Sequence, residues 1–444
     1  MKKLIVIGLI LLSGQTFAQE ELTVFGAIEK ALNNNYDIKL VEHNYTVAQL
    51  QNSWGQAGLI PTFSLNVGNT ASLQDNTNNP ATFFPGVLFN DNLQASLNMS
   101  WTVFSGFGVK INKERFEQLQ TQTKGNAIVV IENTIYDIIL AYYTAVVQER
   151  KLQVMADLLG YSKEKLTYYQ LKSDMGINTS FDLLEFENQV LTDSSNYLLQ
   201  ILSAENAQRN LNLIMAEDVE QKYRLTDSLD FKAEATSFVN LKQQMEANNQ
   251  NLKNQMINYE LQEINVKAKQ SAYYPVVTLN LSTAPSVGYF QLFGDEGFSA
   301  STNAWSHAAT VNVRYDIFQG WNRKRNSEIA AIQRDIASLQ VDQLKQNLSH
   351  QLKGLFALYQ TRVKVENMSL QRLRHSVKLW ELGKEKYDMG LINVFNLNDI
   401  KLGYEQAVLN YYDRLFELLQ SHYDLLRITG GIAQQFNIAE NIKE

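Results

Sequence analysis

The 444-residue chain contains no cysteine. That excludes a disulfide framework, a thiolate zinc site, a cysteine nucleophile and a lipid-acceptor cysteine. Proline is scarce at five residues and glycine numbers 22, which argues against collagen-like, linker-rich or many-turned all-β chains. An excess of positive charge is also lacking. The 39 Lys plus Arg stand against 46 Asp plus Glu, a net charge of −7, which does not suit a general nucleic-acid binder. Catalytic signatures are equally thin. His43, His307, His350, His375 and His422 are scattered without a His-Glu-x-x-His zinc spacing. No Gly-Lys-Ser/Thr phosphate loop and no Gly-x-Ser-x-Gly elbow occurs. Gly106-Phe107-Gly108 lacks the third glycine of a dinucleotide turn, and Glu185 and Glu187 point away from each other on a helix. The chain therefore reads as a non-enzyme, with no cofactor and no metal site.

What is present begins with an address. Met1-Lys2-Lys3 precedes an apolar run from Leu4 to Leu12, and Thr16-Phe17-Ala18 offers a small-residue cleavage site. Residues 1–18 are expected to be a secretory signal peptide, too short to span a membrane. Removing it takes away Lys2 and Lys3, leaving 37 basic against 46 acidic side chains, a net −9. No 18-residue apolar span is expected after residue 19. An exported chain can still sit in a membrane as a β-barrel, whose strands hide from hydropathy.

An internal repeat organises the rest. Asp174-Met175-Gly176 recurs as Asp388-Met389-Gly390, an offset of 214, and Phe104-x-Gly106 recurs as Phe318-x-Gly320. Pro61 matches Pro275, Asn34-Asn35 matches Asn248-Asn249, and Phe181 and Leu183 match Phe395 and Leu397 at the same offset. Two units follow, 19–230 and 231–444.

Four segments alternate with period two, expected as strands at 60–70, 93–104, 275–284 and 308–318. Odd positions carry the apolar side chains: Phe63, Leu65 and Val67; Leu93, Ala95, Leu97, Met99, Trp101 and Val103; Val277, Leu279 and Leu281; Ala309, Val311, Val313, Tyr315 and Ile317. About ten residues is the length a tilted strand needs to cross a bilayer. Small polar residues line the other face, and Arg314 lies there beside Asp316, as a salt bridge or as a bias on permeating ions. Trp101, Trp305 and Tyr315 are placed towards strand ends, at the membrane interface. Pro61 and Pro275 open strands, where a missing N–H costs least. Residues 71–92 and 284–308 read as long outward loops. The rival reading is a soluble sandwich with half-buried strands.

Helical spacing fills the remainder: 22–58 (a short piece near 22–32, then a helix at 36–58), 107–172 and 181–215 in the first unit, then 237–272, 321–386 and 395–428 in the second, with 429–444 as a C-terminal equatorial segment. Ile128, Ile131, Ile135, Ile138, Tyr142 and Ala145 repeat at three-four spacing. A helix over 107–172 is about 100 Å long at a rise of roughly 1.5 Å per residue, and so needs coiled-coil-like partners. Tip turns at 173–180 and 387–394 reverse the chain, with Gly176 and Gly390 expected at positive φ. Four strands cannot close a barrel, and open edges are forbidden in lipid, so the strands must oligomerise. Two copies give eight strands, filled by side chains, while three give twelve, with room for water. The fold class is thus an α+β membrane protein in which a long α-helical barrel continues a 12-stranded β-barrel built by a trimer, four strands per protomer.

Leu59-Ile60-Pro61, Phe104-Ser105-Gly106, the Met-Gly-Ile and Met-Gly-Leu tip turns, and Leu-Arg-Ile-Thr-Gly at 426–430 occur in order, largely in duplicate. The pattern resembles the TolC family of outer-membrane efflux proteins over essentially the whole mature chain. The resemblance implies a trimeric channel-tunnel through the bacterial outer membrane and periplasm, in contact with outer-membrane lipid. It implies docking to a periplasmic membrane-fusion adaptor and an inner-membrane pump of RND, MFS or ABC type, in tripartite efflux or type I secretion. It places adaptor docking at the tip turns (Gly176, Ile177, Gly390, Leu391) and closure at an aperture. Asp182 and Tyr387 fall where the family has bridge partners, while Ile392 stands where a bridge arginine is usual. Asn396 and Asp399 stand at the two aperture acids, so one acidic ring remains. Asp182, or Ser180 near it, also reads as a simple cap of the return helix. A passive porin and a secreted coiled-coil structural protein remain alternatives to an export conduit.

Overall fold

The computed structural model describes residues 20–83, 85–176, 180–231, 233, 236–294 and 297–436. The expected signal peptide, Ile177 and residues 437–444 lie outside the described residues. Along the chain the elements are β1 (Glu20–Leu22), α1 (Val24–Asn34), α2 (Tyr36–Gln51), α3 (Trp54–Ala57), β2 (Thr62–Asp75), β3 (Val87–Ser105), α4 (Gly108–Asp174) and α5 (Ser180–Met215). Then follow β4 (Tyr223–Leu225), α6 (Phe238–Asn248), α7 (Gln250–Ser271), β5 (Val276–Phe293), β6 (Ser299–Arg314), α8 (Asn322–Asp388), α9 (Val394–Thr429) and α10 (Gly431–Gln435). The chain divides into two compact units, one of residues up to 41, 128–249 and 347 onward, the other of 42–127 and 250–346.

In the first unit the three-four series of α4 forms the core: Ile128, Ile131, Ile135, Ile138, Tyr142 and Ala145 are all buried. The Tyr142 hydroxyl donates to the Leu22 carbonyl at 2.8 Å, tying α4 to β1, which pairs in parallel with β4. This small sheet was not foreseen; three-residue strands are too short to show a period. The same helix corrects the expectation that no apolar span follows residue 19. α4 holds an 18-residue stretch apolar enough to cross a membrane, but 61% of it is buried within the protein, so its apolar residues serve packing. α4 and α8 are each 67 residues, and α5 and α9 each 36. No proline lies between Pro85 and Pro275 to interrupt α4.

The region expected at 22–58, a short piece near 22–32 and then a helix at 36–58, is observed as α1, α2 and α3 behind β1, and that expected at 237–272 is divided into α6 and α7. Thr23 caps α1 by accepting from the Gly26 N–H, and Ser237 caps α6 by accepting from the Asn240 N–H. Asn35 and Asn249 then divide α1 from α2 and α6 from α7. Asn35 Oδ1 accepts from the Asp37 N–H at 2.9 Å, the local competition by which Asn interrupts a helix. Both side-chain amides reach back to the end of a return helix, Asn35 to the Ile214 carbonyl at 2.8 Å and Asn249 to the Ile428 carbonyl at 2.9 Å.

The second unit carries an antiparallel four-stranded sheet in the order β2-β3-β5-β6. Its strands run 14, 19, 18 and 16 residues, each past its expected bound at the β2–β3 or β5–β6 turn, whereas β6 stops at Arg314, short of the expected 318, so Tyr315 and Ile317 lie outside it. Much of the segments read as loops, 71–92 and 284–308, is therefore strand. The ladder continues through Asp75↔Val87 and Gln291↔Ser299, so pairing overrides the weak β-propensity of Asn90, Asp91, Asn92 and Gly288. Pro285 lies inside β5, paired with Trp305 of β6, and the β3–β5 ladder has no pair at Ala95 or Ser96. A proline without N–H accounts for that gap. A bulge between Thr102 and Phe104 corrects the odd-face assignment at the end of β3. Phe104, not Val103, there pairs with Val277 and shares the face of Trp101 and Leu279. Lengthening β6 also moves Trp305 from a strand end to mid-strand, where its Nε1–H donates to Thr283 Oγ1 at 2.8 Å. β2 and β6 are the open edges.

Candidate functional site at the helical tip

In the first unit, α4 and α8 turn into α5 and α9 at Gly176 and Gly390. Each glycine has φ +72° and donates its N–H to the carbonyl three residues back. Only glycine adopts that conformation without cost, and a Cβ at either site would meet open space, so backbone alone requires it. Both are exposed, as is Leu391. Asn393 caps α9 by accepting from the Asn396 N–H at 2.9 Å, which leaves Asn396 and Asp399 exposed on its first turns.

Behind the turns lies an aromatic core. Leu158, Trp380 and Leu397 are buried together, with Tyr161, Tyr387, Ile392, Ile400 and Tyr404 packed against them. Trp380 stacks on Tyr404 at 6.1 Å and meets Tyr161 edge-on at 4.9 Å. Ile392 thus serves as packing. Phe181 and Phe395, at the starts of the two return helices, touch at 5.5 Å between centroids.

Tyr387 links the two hairpins. Its hydroxyl is hydrogen-bonded to the Tyr169 hydroxyl at 2.5 Å, and the Tyr169 ring stacks on the buried Phe186 at 4.8 Å. Burial, then the Tyr169 bond, then the negative charge of Asp182, push the Tyr387 pKa well above its usual value, so it stays a neutral hydroxyl. The sequence pairs Asp182 with Tyr387; Asp182 acts on it through charge, and Tyr169 is the partner that sequence reasoning missed. Beside them Lys165 reaches Asp388 at 2.5 Å, its ammonium also lying over the Tyr161 and Tyr387 rings at 5.5 and 5.8 Å.

One turn further in sits an ion pair that the sequence reading also missed. Lys401, only 2% exposed, pairs with the buried Asp193 and also donates to Ser162 Oγ at 3.1 Å; Ser162 donates to Asp193 at 2.6 Å. The signal was legible. Lys401 falls four residues after Leu397 and three before Tyr404, on the apolar seam of α9, where a lysine must find a buried partner.

In the second unit the remaining expected residues are spread over the sheet. Arg314, at the end of β6, lies 3.7 Å from Asp316, the Arg314 side chain largely exposed. Trp101 Nε1–H donates to the Leu59 carbonyl at 2.9 Å, and the Arg323 guanidinium lies 5.9 Å from the Tyr315 ring. Among the described residues no group of three His, Cys, Asp or Glu could hold a metal.

The fold has counterparts. A family model described as outer membrane efflux protein matches residues 27–217 and again 241–431. The chain is 22% identical over 260 residues to toxin and drug export protein A of Aggregatibacter actinomycetemcomitans, covering 57% of this chain and 54% of that protein. The chain thus matches about half the length of that curated relative. Its fold is similar to the Campylobacter jejuni CmeC outer membrane channel, at TM-score 0.73 and 14% identity over 95% of this chain and 90% of that one. It is also similar to the open state of the Neisseria gonorrhoeae MtrE outer membrane channel, at TM-score 0.68 and 16% identity over 92% and 88%. The chain belongs to the outer membrane efflux protein family, and so to the outer membrane.

Proposed function

We propose that the protein is the outer-membrane conduit of an export assembly, a homotrimer in which three four-stranded sheets close a 12-stranded barrel and the helical hairpins form a tunnel. The observation that carries this reading is the sheet: four strands of membrane length, apolar on one face and polar on the other, ending on two unpaired edges. Lipid does not tolerate such edges, and three copies give a closed barrel with a water-filled bore. The two halves are read as a duplicated unit at an offset of 214, supported by helix pairs of equal length. At the tip, Gly176, Ile177, Gly390 and Leu391 present turns to a periplasmic adaptor, which couples the conduit to an inner-membrane pump. Tyr387, Tyr169 and Asp182 hold the hairpins in the closed state, with Ile392 packing behind them, and Asn396 and Asp399 face the entrance with a single acid per chain. Arg314 and Asp316 lie at the foot of the barrel lumen.

The test is purification from the outer-membrane fraction in detergent, with mass by light scattering, beside a strain lacking the protein. A trimer and hypersensitivity to toxic compounds are the expected results. A detergent-independent monomer overturns the conduit, and unchanged tolerance with slower nutrient uptake favours a passive porin.

A further inference from the structure

The two hairpins of the sheet share one pairing register. β2 and β3 pair as Thr62↔Ser100, and β5 and β6 pair as Val276↔Arg314, the same register moved by 214 on both strands. Between the hairpins, β3 pairs with β5 through Met99↔Leu281 and Trp101↔Leu279, then after the bulge Phe104↔Val277 and Ser105↔Val276. β3 therefore continues to Ser105, five residues past its last β2 partner. β6 stops at Arg314, its last β5 partner, and the five residues after it, 315–319, are not strand. The sequence there keeps the β3 character: Tyr315 stands for Trp101, Ile317 for Val103 and Phe318 for Phe104. The difference is the neighbour, because β3 has β5 on its outer side and β6 is an edge.

The turn after each strand repeats the contrast. Gly106 and Gly320 have φ +59° and +58°, and Phe107 and Trp321 follow at φ +68° and +65°. Phe107 meets Phe104 edge-on at 5.5 Å, and Trp321 meets Phe318 edge-on at 5.8 Å. Phe107 also packs edge-on against Tyr274 at 5.7 Å, and a Cβ on Gly106 would lie 2.4 Å from the Ser271 carbonyl oxygen. The equivalents of Ser271 and Tyr274 are Ala57 and Ile60, yet Gly320 has open space around it. Trp321, Phe318, Leu59 and Ile60 are all exposed large apolar residues.

We infer that β6 of one copy pairs with β2 of a second copy in the register of β3 with β5, so that Val313 faces Val67 and Tyr315 faces Leu65, and that Trp321 seats against Ile60 of that second copy. Residues 315–319 then complete β6 as an edge-sealing strand, with Ile317 as the bulged residue and Phe318 opposite Phe63. The inference rests on the oligomeric barrel proposed above and supplies its seam.

The absence of cysteine makes the register directly readable. Antiparallel partners have Cα atoms about 4.5–5.5 Å apart, within disulfide reach, whereas a shift of two residues moves them to about 8 Å. The full-length double variant Val313→Cys with Val67→Cys, oxidised in outer-membrane vesicles, is expected to give covalently linked oligomers on a denaturing gel. Val313→Cys with Leu65→Cys is expected to stay monomeric on that gel. Cross-linking of the second pair instead, or of neither while light scattering still reports a trimer, overturns the register and leaves the trimer standing. A monomer by light scattering overturns both. For the seat, Trp321→Ala is expected to move trimer dissociation in detergent to about tenfold higher protein concentration or more, with unchanged circular dichroism. An unmoved midpoint overturns the seat.

Discussion

The helical tip and the sheet are both built from apolar residues at regular spacing, yet they end in opposite environments. At the tip, Trp380 is 7% exposed and Leu397 lies buried beside it, covered by residues of the same chain. On the sheet, Leu65 is 70% exposed, and Phe63 and Val67 beside it are similarly open. The tip's apolar seam is satisfied within one chain. That of the sheet is left open by the chain itself, with β2 and β6 as unpaired edges. Apolar exposure here marks where the folded unit ends and where its surroundings must complete it.

Breaking the tip's interior gives the largest expected effect. Lys401→Ala leaves Asp193 buried without its cation, which costs about 3–5 kcal/mol, read as a lowered melting temperature or denaturant midpoint. The comparison sharpens with the double variant Lys401→Met, Asp193→Leu, which removes both charges and is expected to recover most of that loss. A double variant as unstable as the single one shows that the pair, rather than the orphaned charge, carries the stability.

The next test lies on the sheet. In the proposed barrel Leu65→Arg puts a cation on the lipid-facing side, and it is expected to cost about 2–4 kcal/mol of stability in lipid vesicles. Asn66→Arg, one residue along on the polar face, is expected to cost far less. Equal losses would mean that the two faces do not differ in environment, and the contrast between sheet and tip would fall with them.

What could be read from the sequence divides along the same line. The long helices were legible because Ile128 to Ala145 keep one period without a proline, and the tip turns because Gly176 and Gly390 stand alone between two helical patterns. Strand existence and facing were legible where odd residues are apolar and even ones small and polar. Strand ends were not, because Asn90 to Asn92 and Gly288 look like turn residues and are held by cross-strand pairing. The bulge at Val103 was invisible for a similar reason, since it exists only in register with β5. At the tip, Tyr387 was named only through the resemblance, and Tyr169, to which its hydroxyl bonds, lies 218 residues away on another helix. Lys401 advertised a buried partner through its seam position without naming Asp193. β1 and β4 are too short to carry any period.

A smaller effect separates the latch from the core beneath it. Tyr387→Phe keeps the packed ring and removes only the hydroxyl bonded to Tyr169, so stability is expected to fall by about 1 kcal/mol. Single-channel conductance in a planar bilayer is then expected to show more frequent opening. A stability loss with unchanged opening assigns the bond to packing alone.

A last test compares two glycines with open space around them. Gly390 sits at φ +72° in the second tip turn, whereas Gly354 lies within α8, and a Cβ on either would meet no atom within 4 Å. Sterics cannot separate them, so any difference comes from backbone conformation. Gly390→Ala forces an L side chain into the left-handed region and is expected to destabilise by roughly 1–2 kcal/mol. Gly354→Ala removes the backbone freedom that glycine has in the unfolded chain and is expected to stabilise by roughly 0.5–1 kcal/mol. Opposite signs in paired melts would tie the tip's sharp reversal to glycine's φ. Two stabilising results would mean that the tip turn relaxes to another conformation at little cost, and the latch at Tyr387 would then have to fix the hairpin on its own.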